Sequence, residues 1–73
     1  MRWRRNIGEL LKYERKSWGM SKRRLARLAH VDVETIEEIE NGTIIEPDFY
    51  EMLNICEILE SSIFYFLVDD TKI

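Results

Sequence analysis

Chemistry in this chain has to come from its charged side chains, because it holds fourteen carboxylates and eleven basic groups but one histidine and one cysteine. A lone histidine with no serine, thiol or glycine-rich phosphate loop beside it builds no nucleophile–base pair. His30 therefore reads as a turn or surface group, and Cys56 as a small core residue. A single cysteine also excludes an intrachain disulfide and a multi-cysteine zinc site, which fits a reducing compartment and sets the cytoplasm as the expected location. No catalytic residue, metal or cofactor is expected, and the chain does not read as an enzyme.

What remains is electrostatic. Residues 1–27 carry ten basic groups (Arg2, Arg4, Arg5, Lys12, Arg15, Lys16, Lys22, Arg23, Arg24, Arg27) against Glu9 and Glu14, a local net of +8. Residues 28–73 carry twelve carboxylates against Lys72, a net of −11. The total of −3 thus hides a strong charge dipole, whose basic end suits either phosphates or plain solvation. The opening Arg2-Trp3-Arg4-Arg5 reads as an arm, residues 1–5, that either lies along a groove or phosphate strand or stays disordered.

These groups must be held by a small scaffold. With 73 residues the chain reads as one domain, 1–73, since a core this size buries only about 60% of the unfolded surface. The 45% apolar and 34% charged composition predicts that it folds. Its longest apolar runs fall far short of the ~20 residues of a membrane span, and no signal-peptide pattern opens it.

Asn6 is placed to cap a first helix over about 7–18, with Ile7, Leu10, Leu11, Glu14 and Trp18 at helical spacing, Trp18 read as core, and Gly19 as the stop. Ser21 caps a second, about 22–29, with Leu25, Ala26, Leu28 and Ala29 as its apolar positions. Asp32 caps a third, about 33–41, with Ile36 and Ile39 inward and Asn41-Gly42 at its end. Beyond Pro47, Asp48 caps a fourth, about 49–60, on a stripe of Phe49, Met52, Leu53, Cys56 and Leu59. Ser62 caps a fifth with Ile63, Phe66 and Leu67, after which 69–73 fray. Helices 2 and 3, joined across a short bend, form a helix-turn-helix whose second helix fits a major groove.

Leu25-Ala26, His30-Val31-Asp32, Thr35-Ile36, Ile39-Glu40-Asn41-Gly42 and Pro47 follow one another at the spacing of a known signature. Together with Ile7-Gly8, Gly19, Ser21 and the ending Leu59 to Leu67, they resemble the phage repressor/Cro family, the XRE-like helix-turn-helix proteins, over about residues 7–67. The resemblance implies an all-α, compact five-helix repressor-like DNA-binding domain acting as a sequence-specific transcriptional regulator on double-stranded DNA. It implies an ion pair between Arg15 and Glu40, joining helix 1 to the end of helix 3. It places Lys22, followed by Arg23, at the phosphate-contacting start of helix 2, and Asn41 and Thr43 on backbone-contacting positions after helix 3. Val33, Glu34, Thr35, Glu37 and Glu38 fall on the recognition helix, where sequence would be read.

Three departures stand out. His30 replaces a turn glycine, where a positive φ is often needed; Glu60 replaces a helix-ending glycine; and Glu14 takes a position that is often apolar. More consequential are Glu34, Glu37 and Glu38, which would accept from cytosine N4 but repel phosphates. Two readings stay open: base readout, or pairing with the arginines of helix 2. If groove entry were lost, the acidic helix would instead dock on a basic protein partner, as an anti-repressor or DNA mimic does. At the other end, Phe64, Tyr65 and Val68 exceed what one short helix can turn inward, and related repressors dimerise near this end, so a homodimer contact is expected there.

Overall fold

The computed structural model describes residues 2–68; the tail 69–73, expected to fray, lies outside them. Its elements are β1 (Arg2–Trp3), α1 (Ile7–Ser17), α2 (Lys22–Ala29), α3 (Val33–Glu40), α4 (Phe49–Leu59), a 3-10 helix (Ile63–Phe66) and β2 (Leu67–Val68). The helices close on a core of Ile7, Leu11, Leu25, Ile36, Ile39, Met52, Ile55, Leu59 and Phe66. Helix α2 packs against α3 and α4, and α1 against α3.

Three helices stop by the same device. A residue in the left-handed region follows each, and the next N–H reaches back five residues: Met20 to the Arg15 carbonyl after Gly19 (φ 68°), Val31 to Ala26 after His30 (φ 60°), and Ser61 to Cys56 after Glu60 (φ 55°). Only the first has glycine. His30 and Glu60 adopt the same conformation at a cost of about 1–2 kcal/mol each. Starts are less uniform, since Ser21 and Asp48 accept capping bonds from Arg24 and Glu51, whereas the Asn6 and Asp32 side chains make none.

Several features differ from the sequence expectation. The described residues form four α-helices, not five: after Ser62 a 3-10 turn forms instead, anchored by buried Phe66, and Leu67 is already extended (φ −114°, ψ 153°). The reason lies at the other end of the chain. The arm is a strand rather than a free tail, pairing antiparallel with Arg2 opposite Val68 and Trp3 opposite Leu67. Val68 accordingly belongs to a strand, half-buried, instead of to a helix.

Helical geometry explains the next difference. The buried positions of α4 (52, 55, 56 and 59) centre near Met52, which leaves Leu53 about 110° away; Leu53 is exposed and Ile55 takes the core place. Phe49 is also exposed, its ring lying 6.2 Å from Trp3 and 5.8 Å from Tyr50. Leu28 sits about 100° from the centre of the α2 stripe and is exposed for the same reason.

Trp18 is half-exposed rather than core, with its indole N–H donating to the Leu59 carbonyl at 2.9 Å. Cys56 is buried, and desolvation, followed by the nearby Glu14 carboxylate, pushes its thiol up to about 11. It stays neutral at ordinary pH. Among the described residues no helix is long and apolar enough to cross a membrane.

Candidate nucleic-acid interface

Helices α2 and α3 are joined by residues 30–32 alone, so the angle between them is set by that bend and by the side chains beneath it. Ile36 and Ile39 face fully inward, fixing the rotation of α3 about its axis. Glu34 and Glu38 then point most directly away from the core, with Glu37 also exposed and Val33 and Thr35 half-buried on the flanks. Among the described residues none of the three exposed glutamates makes an ion pair, with the arginines of α2 or any other group.

The inner edge of α3 is held differently. Arg15, buried on α1, meets Glu40 with two bonds, Nε to Oε2 at 2.7 Å and Nη2 to Oε1 at 3.0 Å, while Nη1 donates to the Met20 carbonyl at 2.7 Å. The Glu40 hydrogen bond raises the Arg15 pKa, outweighing desolvation by burial. Gly8 makes this approach possible, because a Cβ there would meet the Ile39 carbonyl oxygen and come within 2.9 Å of the Glu40 one. Glycine is needed here for space, not for its φ.

At the start of α2, Ser21 Oγ accepts from the Arg24 N–H, and the N–H groups of Lys22 and Arg23 make no hydrogen bond among the described residues. A helix start with free N–H groups, a lysine and an arginine is suited to a phosphate. A depression of about 280 Å³ brings Lys22 and Asn41 together with Glu37, Glu40 and Lys12. Lys12 was not singled out by sequence as a site residue. Its signal is its position three residues before Arg15, which turns it toward the same face of α1.

The loop after α3 is less open than its sequence implies. Asn41 Oδ1 accepts from the Thr43 N–H at 2.9 Å, and the N–H groups of Asn41, Gly42 and Ile44 bond to Glu37, Ile39 and Glu38 carbonyls. Of Asn41 and Thr43, the groups not committed to these bonds are the Asn41 side-chain amide nitrogen and the Thr43 hydroxyl. Phe64, Tyr65 and Val68 lie apart from all of these, on the 3-10 helix and β2, with Phe64 and Tyr65 exposed. Among the described residues no three His, Cys, Asp or Glu side chains converge as metal ligands would.

Two short helices across a three-residue bend, the second with a polar face turned outward, define a helix-turn-helix domain. The chain belongs to the Helix-turn-helix family, whose model matches residues 11–66. Among solved structures it is similar to the N-terminal DNA binding domain of SinR from Bacillus subtilis, at 25% identity and a TM-score of 0.85, covering 94% of this chain and 100% of that one. No curated protein matches it.

Proposed function

We propose that the chain is a DNA-binding transcriptional regulator that places α3 in the major groove of double-stranded DNA. The outward face of α3, whose glutamates make no ion pair among the described residues, lies beside the N–H groups of Lys22 and Arg23, which make no hydrogen bond there either, and this carries the reading. The DNA binding domain of SinR supports it by likeness of fold. In this reading Lys22, Arg23, Asn41 and Thr43 meet phosphates, which position the domain, while Val33, Glu34, Thr35, Glu37 and Glu38 face base edges, which specify sequence. A glutamate accepts a hydrogen bond from cytosine N4. Arg15 and Glu40 serve the scaffold.

Exposed Phe64 and Tyr65, with half-buried Val68 beside them, form the contact of a homodimer on two half-sites about 34 Å apart. Anisotropy titration of random duplex DNA at 50 and 200 mM salt tests the first part, with salt-sensitive binding expected. Absence of binding at low salt would overturn it in favour of a basic protein partner for α3. Sedimentation tests the second. Phe64→Asp with Tyr65→Ser should shift a dimer toward monomer with helicity intact, and a parent already monomeric at high micromolar concentration would refute the dimer.

A further inference from the structure

The arm does not end as a loose strand. Its Trp3 ring packs against the core and lies 6.2 Å from Phe49, the Arg4 N–H donates to the Phe66 carbonyl at 2.9 Å, and Arg4 Nε donates to the Tyr65 carbonyl at 3.0 Å. Arg4 thus has its stem fixed by one guanidinium nitrogen while both terminal nitrogens have no partner among the described residues. Arg5 is exposed and makes no side-chain bond among the described residues. With Arg2 and Trp3 they line a depression of about 650 Å³ whose opposite wall is Ile45 and Glu46, in the loop between α3 and α4.

That position is informative. The loop begins at Asn41, which shares the other depression with Lys12 and Lys22, and runs on to Ile45 and Glu46 beside the arm. Basic groups therefore stand at both ends of the loop after α3. Among the described residues one carboxylate, Glu46, stands in the arm depression, and it pairs with neither Arg4 nor Arg5. A guanidinium held through Nε, on a backbone that is itself bonded to its neighbour, loses less freedom on meeting an anion than one on a loose tail.

We infer that Arg4, held in place by its bond to the Tyr65 carbonyl, and the exposed Arg5 beside it contact the sugar–phosphate backbone of a DNA duplex, flanking α3 on the side of the α3–α4 loop. The inference rests on the DNA-binding reading. It extends the interface to residues outside the helix-turn-helix, with phosphate as the group recognised and no base read.

The salt dependence of binding to a random-sequence duplex tests it, measured by anisotropy from 50 to 200 mM NaCl, with melting curves to show that each variant folds. Each lost phosphate contact lowers the slope of log K against log salt by about 0.9, so the loss of affinity across this range shrinks about 3.5-fold per contact. Arg5→Gln is the cleaner variant because Arg5 supports no internal bond; Arg4→Gln with Arg5→Gln should lower the slope by about 1.8. Glu46→Gln should strengthen binding. Lys16→Gln removes the same charge more than two turns along α1 and should move the slope less than half as far.

An unchanged slope for Arg5→Gln, beside a lowered one for Lys22→Gln, overturns the arm contact and leaves the DNA reading standing. An equal effect from Lys16→Gln reduces the arm to diffuse charge and overturns it too. A parent that binds no duplex at 50 mM overturns the DNA reading itself, and the arm contact with it.

Discussion

Helix α3 carries four glutamates that meet opposite fates on its two faces. Glu40 is tied by two bonds to a buried arginine, whereas Glu34, Glu37 and Glu38 stand exposed with no ion-pair partner among the described residues. The residue type is the same, and only the rotation of the helix separates them. That rotation is set by Ile36 and Ile39 beneath and by Gly8, which lets α1 close against the end of α3. A carboxylate acts as scaffold where a buried cation consumes its bonding capacity, and keeps that capacity for a partner where nothing does.

The comparison breaks first at Glu40. Glu40→Ala strands the Arg15 guanidinium in a site where it is 6% exposed, at an expected cost of about 3–5 kcal/mol. For a chain of this size that approaches the whole stability of the fold. Glu38→Ala, on the outer face, should stay within about 0.5 kcal/mol. Urea melts of the two variants check the contrast, and similar midpoints would erase the distinction between the faces. Gly8→Ala acts on the same junction through volume. Its methyl group would meet backbone oxygens, which cannot move aside as a side chain can, so a loss of about 1–3 kcal/mol is expected even though alanine favours helix. Thermal melting that finds the variant at or above the parent would show that α1 does not need this approach.

Periodic features were legible in the sequence. The four α-helices, the left-handed His30 and Glu60 in place of glycines, and the inward Ile36 and Ile39 follow from spacing, turn chemistry and family resemblance. What sequence hid was non-local. The arm reads as a tail because two residues give no strand signal, and its order comes from pairing with Leu67-Val68, more than sixty positions away. The same pairing is why the fifth helix stops at one 3-10 turn. Leu53 and Ile55 exchange places because two apolar residues near the edge of a stripe are told apart only by the centre of the arc that tertiary packing selects. For the interface, the family resemblance pointed to Lys22 and Asn41, but the commitment of the Thr43 N–H to Asn41 is a turn bond that no composition or periodicity predicts.

The smallest expected effect on stability is also the sharpest on function. Glu34→Gln, Glu37→Gln and Glu38→Gln together keep side-chain length and remove three charges from the outer face. Glu34 lies in the first turn of α3, where the helix dipole favours a carboxylate by about 0.3–1 kcal/mol, and that is lost. Against it, the like-charge neighbours at spacings of three and four, Glu34 with Glu37 and Glu38, and Glu37 with Glu40, stop repelling, at about 0.2–0.5 kcal/mol each. The two terms nearly cancel. Binding should not stay level. Affinity for random duplex should rise as repulsion from phosphates falls, while discrimination among sequences selected from a random pool should fall, since each good base contact contributes about 1–3 kcal/mol. A variant that keeps the parent's sequence preference would show that the carboxylates only limit non-specific binding and read no base. A parent that enriches no sequence at all would remove base readout by this face and leave the exposed glutamates to a protein partner.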